Sequence, residues 1–340
     1  MPDMQKTVSR EIGGAAVGWR LVVPAMLIMC AAGSAQAQSQ AQGYPNRAIR
    51  MIVPFPAGGG YDFMARNIGQ KLTEAWGQPV VVDNRVGANG NIGAEIAAKS
   101  PPDGYTLILG GIGPHALSVA LYPKLPYDPV KDFEPVSLVA AQPNLLVVHL
   151  SLPVKSLQEL IAFAKARPGQ ITFGSPSTGS GQHFGLAQLK LMTGINLVHV
   201  PYKGAAPLHS ALLAGEISVA FNIIQLPLPY VKAGRLRALA TASTRRAALA
   251  PDIPTMAELG YPIDFDTWYG VFAPAGTPRE IVAKLNSEIV RILALPELKE
   301  RASVLGIDLL GTPPERLAAH MKAEIARWSK VARDADIKVE

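Results

Sequence analysis

Short apolar runs alternate along most of this chain with stretches whose apolar positions recur at helical spacing. Residues 49–53, 80–82, 106–109, 145–149, 171–173, 197–200, 217–221, 236–240 and 268–273 read as strands. Helices are announced by their starts. Ser156-Leu157-Gln158-Glu159, Thr277-Pro278-Arg279-Glu280 and Thr312-Pro313-Pro314-Glu315 each place a Glu three residues after a hydroxyl, the pattern of a reciprocally capped first turn. Val282, Leu285, Ile289 and Ile292 then fall on one helical face. Asn89-Gly90, Pro102-Asp103-Gly104 and Tyr127-Asp128-Pro129 mark turns. Alternation of this kind predicts an α/β architecture with mainly parallel sheets.

Two glycine-rich loops interrupt the pattern at equivalent places. Pro54-Phe55-Pro56-Ala57-Gly58-Gly59-Gly60-Tyr61-Asp62 and Gly174-Ser175-Pro176-Ser177-Thr178-Gly179-Ser180-Gly181-Gln182-His183 each follow a strand and open a helix. The first amides of a helix have no internal partner, and the helix dipole favours negative charge beside them. Facing each other, two such starts make a clamp for a small anion, built from amides at Gly58–Tyr61 and Thr178–Ser180. Val200-Pro201-Tyr202-Lys203-Gly204 is a third strand-to-helix turn, where Lys203 is either solvated or steers an anion.

Composition narrows the class. With 340 residues, 49% hydrophobic and 17% charged, the chain has material for about two domains and a large core. A net charge of +6 without a basic block or interleaved aromatics argues against nucleic-acid binding. Basic Lys6, Arg10 and Arg20, a short apolar run at 21–30 and Ala35-Gln36-Ala37 together form a secretory leader cleaved after Ala37. The sole cysteine, Cys30, lies within it behind Met29, a residue unsuited to lipoprotein processing, so the exported chain begins at Gln38 without a thiol. We expect a periplasmic monomer with no cofactor. The six histidines are scattered without metal-ligand spacing.

Side-chain chemistry leaves alternatives open. Ser180 and His183 read as a nucleophile and base of a hydrolase, or as helix-capping and packing residues, or as carboxylate holders. The first reading lacks an orienting acid in the sequence. Asp62 and Arg66 are spaced for a helical ion pair. Tyr61 either covers the core or lines a cleft. Asn222, placed just beyond a strand at 217–221, either bonds its own backbone or meets a ligand.

Several ordered segments resemble the periplasmic receptors of tripartite tricarboxylate transporters, also called Bug receptors. They are Pro54-Phe55-Pro56-Ala57-Gly58-Gly59, Asn89-Gly90-Asn91-Ile92-Gly93, Pro102-Asp103-Gly104-Tyr105-Thr106-Leu107, the loop at 174–183, Val200-Pro201-Tyr202-Lys203-Gly204-Ala205-Ala206-Pro207, Ala233-Gly234-Arg235-Leu236-Arg237-Ala238-Leu239-Ala240, and Trp268-Tyr269-Gly270 with Ala273-Pro274-Ala275-Gly276-Thr277-Pro278. The resemblance covers nearly all of the chain after its leader. It implies a two-lobed, type II periplasmic binding protein that closes on a small organic carboxylate and delivers it to membrane permease subunits. A receptor that feeds a signalling partner is the alternative. It also implies that one ligand carboxylate is gripped between the two glycine-rich loops, partly through waters. Against the family pattern, Tyr61 replaces a small hydroxyl residue, Gly181 a serine and Asn222 an aspartate.

On this reading residues 44–143 and 265–340 form a discontinuous first domain, and 144–264 an inserted second one. The expected ligand contacts are Gly58, Gly59, Gly60, Tyr61, Asp62, Thr178, Gly179, Ser180, His183, Gly204 and Asn222. An uncharged amide at Asn222 cannot pair with an ammonium, so a carboxylate without an amino group, either a dicarboxylate or an aromatic acid, is expected in preference to aspartate or glutamate.

Overall fold

The structure, a computed structural model, describes residues 43–338. The leader, Cys30 and the cleavage site after Ala37 lie outside the described residues. The first elements are β1 (Ile49–Val53), α1 (Gly60–Trp76), β2 (Val80–Asn84), α2 (Asn91–Ala98), β3 (Thr106–Gly111), a π-helical turn at Gly113–Leu117, α3 (Ser118–Leu121) and β4 (Phe133–Gln142). Then come β5 (Asn144–His149), α4 (Leu157–Ala166), β6 (Ile171–Ser175), α5 (Gly181–Thr193), β7 (Leu197–Pro201), α6 (Ala205–Ala214), β8 (Val219–Ile223), α7 (Leu228–Lys232) and β9 (Leu236–Thr241). The chain ends with β10 (Thr267–Pro274), α8 (Arg279–Leu293), α9 (Pro296–Val304), β11 (Asp308–Leu309) and α10 (Pro314–Asp334).

These elements build a two-lobed α/β fold on two sheets, ordered β11-β4-β10-β3-β1-β2 and β7-β6-β8-β5-β9. The sheets are mixed, where mainly parallel ones were expected. β1 pairs in parallel with β2 and β3, and β6 with β7 and β8, while β10 and β5 run antiparallel to both their neighbours. Connectivity explains the reversal. Only Pro143 separates β4 from β5, so the chain steps straight from one sheet into the other. It returns between β9 and β10. A strand that enters a sheet at the edge where its parallel neighbours end must run against them. Hence the carboxyl ends of β1, β2 and β3 face those of β6, β7 and β8.

β4 and β11 escape the pattern of apolar runs. β4 carries Pro135, which sits at a register irregularity opposite Phe272, where a missing N–H is tolerated. β8 runs two residues later than expected, which places Asn222 inside the strand. Of the three predicted capping boxes, Ser156 does cap, accepting from Glu159 N at 3.1 Å. Thr277 and Thr312 do not. Their helices have Pro278 and Pro313 at the cap, and the hydroxyls bind Pro274 O and Pro313 O instead. The threonine in each case stands one residue too early to reach the first free amides. The apolar face of α8 is as expected, with Val282, Leu285, Ile289 and Ile292 all buried.

The core runs through the crossing. Phe221 of β8 meets Phe265 edge-on, and Trp328 of α10 is reached edge-on by both Phe265 and Phe184 of α5. Burying each such ring contributes about 2–3 kcal/mol. The C-terminal helix therefore ties both sheets to one apolar spine.

Candidate functional site

The first glycine-rich loop is held open by a buried carboxylate. Asp62 accepts from Gly58 N at 3.0 Å, Arg66 Nε at 2.8 Å and Asn84 Nδ2 at 3.1 Å. Burial alone would raise its pKa, but these bonds outweigh burial and hold the carboxyl below its usual range. Asp62 thus braces the loop, and the Asp62–Arg66 pair is part of that brace. Gly58 adopts a positive φ of 84°, which suits glycine. Gly59 stands at the cap of α1 with no side-chain bond to the helix start. A Cβ on Gly60 would sit 2.3 Å from the Tyr269 hydroxyl, so the backbone here lies directly on that ring.

The Tyr61 side chain is buried against the core. Its ring stacks on Phe55 at 4.2 Å, and its hydroxyl donates to Trp268 O at 3.1 Å. Burial pushes its pKa up. Beneath it, Tyr269 donates to Gln142 Oε1 at 2.6 Å, and Gln142 Nε2 donates to Gln225 Oε1 and to Leu305 O. This buried chain joins the first loop to the turn after β8.

The second loop is closed on itself. Ser180 caps α5 by accepting from His183 N at 3.3 Å, and its hydroxyl donates to Ser177 O at 2.8 Å. Gly179 N donates to His183 Nδ1 at 3.1 Å, and Ser180 N donates to Ser177 O. The amides of Gly179 and Ser180, expected to hold an anion, are therefore committed within the protein. Gly204 N is likewise taken, by Pro176 O at 2.8 Å. His183 stacks on His199 at 3.9 Å, and His199 Nε2 meets Ser175 Oγ at 2.6 Å. Burial, His199 and Lys190 lower His183 to about 4; burial and Lys190 lower His199 to about 4. With its hydroxyl used as a cap and the imidazole Nδ1 used by Gly179, the Ser180/His183 hydrolase pair is not assembled. Thr178 and His183 face a groove toward the end of α10.

Contacts between the facing edges bring the loops together. Asn89 Nδ2 reaches Gly179 O at 3.5 Å, and Gly90 and Gly93 pack on Pro54. Gly111 lies against Tyr61, and Ile112 lies against Gly181. The sequence marks Asn89 as a turn residue and as part of a family-like segment; its contact with the second loop from the carboxyl edge of β2 depends on topology, which no local motif carries.

Asn222 stands apart from all of these. It is fully buried, and neither its amide nitrogen nor its oxygen has a partner among the described residues. It does not bond its own backbone. Leu145 pairs with both Asn222 and Thr241, so the two polar residues share a sheet face, and the Thr241 hydroxyl is buried and unpartnered too. Leaving such groups unsatisfied costs about 1–3 kcal/mol each, and ligand edges at the carboxyl ends of strands are where such groups find use. Among the described residues, no cluster of three or more His, Cys, Asp or Glu could hold a metal, and no helix is long and apolar enough to cross a membrane.

A family model described as "Tripartite tricarboxylate transporter family receptor" matches residues 64–337. The chain belongs to the tripartite tricarboxylate transporter receptor family. It is 39% identical to Protein BugT of Bordetella pertussis over 324 residues, which is 94% of this chain and 99% of that one. Among solved structures it resembles R. palustris Rpa4515 with adipate (40% identity, TM-score 0.79, covering 87% of this chain and 100% of that one). It also resembles MatC (Rpa3494) from Rhodopseudomonas palustris with bound malate (34% identity, TM-score 0.75, covering 85% and 99%). The family is one of substrate-binding receptors, and its two-lobed periplasmic binding protein fold is the one described here.

Proposed function

We propose that this chain is an exported receptor that holds a small organic carboxylate between its facing sheet edges and hands it to a membrane permease without turning it over. The unpartnered amide of buried Asn222 carries the reading. On this reading its amide and the main-chain amides at Gly59, Gly60 and Tyr61, at the uncapped start of α1, meet the ligand from the two lobes. Relatives solved with adipate and malate support a di- or hydroxycarboxylate. The lobes, 44–143 with 265–340 and 144–264, close about the two chain crossings. Each hydrogen bond to a charged carboxylate contributes about 1.5–3 kcal/mol, and micromolar affinity needs about 8 kcal/mol. Amides from α1 with Asn222 reach that without an arginine. Because Asn222 carries no charge, aspartate and glutamate should bind more weakly than adipate or malate.

Calorimetric titration of wild type and Asn222→Ala with adipate, malate, succinate, aspartate and glutamate tests this. Wild type should prefer the acids lacking an amine, and Asn222→Ala should weaken them. Equal affinity in the variant, or binding of glutamate alone, sinks the reading. Asn222→Asp should move preference toward amino acids.

A further inference from the structure

Behind the crossing lies a second, separate pocket of about 620 Å³, to which neither glycine-rich loop contributes. One wall is α10, where Arg316, His320, Glu324 and Arg327 recur at helical spacing. Asp264 and Asp266 of the crossing segment, Trp268 of β10 and residues 243–247 also line the pocket.

Its polar groups are incompletely used. The Trp268 indole N–H is buried without a partner, as are His320 Nε2 and Arg327 Nη2. Trp268 is only 2% exposed, and His320 meets its ring edge-on at 5.1 Å. The Arg316 guanidinium has no side-chain partner among the described residues. On the acidic side, Asp264 has no hydrogen bond among those residues, and Asp266 uses one carboxylate oxygen on Ser243. Burial raises both carboxyls, Asp266 to about 6, while the nearby charges of Arg327 and His320 act on Asp264 in the opposite sense without bonding to it. Other charges in the lining are already paired: Arg245 with Asp308, Arg327 Nη1 with Glu324 and Arg246 with Glu258 outside the pocket.

Four arginines and four carboxylates line the space, so no net field favours a pure anion or a pure cation. What remains unsatisfied is one set of donors on α10 and Trp268, and one set of acceptors on Asp264 and Asp266. A molecule carrying both a carboxylate and an ammonium satisfies both sets. We propose that this pocket is a second ligand site, distinct from the interlobe edge, for a small dipolar molecule of the amino-acid class. Its walls come from both lobes and from the crossing itself, so an occupant there bears on how the lobes sit.

The exported chain retains Trp76, Trp268 and Trp328, so three indole N–H signals report on it. Glycine and glutamate are the dipolar probes, adipate the anion and methylammonium the cation. The Trp268 signal, assigned with Trp268→Phe, should shift saturably with glycine or glutamate. It should do so equally in Gly59→Val, whose interlobe edge is blocked. Asp264→Asn and Arg316→Ala, both at solvent-accessible positions, should each weaken that response roughly tenfold. A Trp268 signal that ignores both amino acids overturns the proposal. So does an equal response to adipate or to methylammonium in Gly59→Val, which would mean a site for a single charge. A response lost in Gly59→Val would show that Trp268 reports lobe closure. Adipate binding to wild type, read by calorimetry, judges the interlobe site independently.

Discussion

The two glycine-rich loops look equivalent in sequence and differ in what they do with their amides. The second spends them internally: Gly179 on His183, Ser180 on Ser177, and His183 N on the Ser180 hydroxyl. The first has no side-chain cap on its helix and delegates its rigidity to one carboxylate set back from the edge. A loop that caps itself is a wall; a loop braced from behind keeps its helix start available to a guest. The clamp we propose is therefore asymmetric, with α1 supplying amides and the second lobe supplying Asn222.

Removing the brace should have the largest effect. Asp62→Ala leaves Gly58 N and Asn84 without their acceptor and frees Arg66. Each buried donor so stranded costs about 1–3 kcal/mol, while the half-exposed arginine adds little. We expect a loss of about 3 kcal/mol in denaturant unfolding and no measurable adipate binding. A variant of native stability would mean that the loop holds its shape without Asp62.

Gly59→Val should act on binding alone. Its φ of −84° is ordinary, and an added Cβ meets only Pro56 O, at 3.6 Å, so the fold accepts the side chain. Projected from the uncapped helix start, it blocks close approach. Affinity for adipate should fall roughly a hundredfold, about 2.8 kcal/mol, with an unchanged melting temperature. Calorimetry that finds wild-type affinity would remove α1 from the site. Gly60 is not the place for this test, because a Cβ there collides with the Tyr269 hydroxyl and crowds Gln142.

Ser180→Ala is the complementary probe. Loss of an N-cap hydroxyl costs about 1 kcal/mol. Thermal unfolding should register that, and calorimetry should show adipate affinity unchanged. A large affinity loss with little change in stability would return the second loop to the ligand.

These contrasts show what was legible in the chain. The strand and helix rhythm and the existence of both glycine-rich helix starts followed from local patterns. The fate of each amide did not, because Asp62 and Ser180 are both ordinary first-turn residues and only their partners distinguish them. Asn84 and Gly58 are 22 and 4 positions from Asp62, and the former is brought there by parallel pairing of β1 with β2. Tyr61 and Asn222 were ambiguous for the same reason. Tyr61 opens a helix and its burial depends on partners distant in sequence, while a shift of two residues in β8 puts Asn222 inside the strand. The sequence places a domain boundary at 143/144, but not the consequence that a strand entering there runs against its neighbours, which makes the sheets mixed.

Acidification should separate the loops with the smallest perturbation. His183 and His199 are held at about 4, against about 6.5 in an unfolded chain. The unfolded state binds more protons between those values, so the stability contributed by the neutral rings is fully present above 6.5 and is lost as pH falls through about 4. Protonating His183 at Nδ1 also abolishes the acceptor for Gly179 N. Asp62 has the opposite shift: its carboxyl is held low, so its contribution is complete above the usual carboxylate range and fades only below about 3.9. Between pH 6.5 and 4 the second loop should therefore loosen while the first holds. Hydrogen exchange, corrected for intrinsic rates, should show falling protection at Gly179 N and constant protection at Gly58 N. Imidazole proton signals should titrate near 4 for both rings. Titration near 6.5 would mean that the rings are charged-form tolerant and that the second loop is not locked by a neutral acceptor.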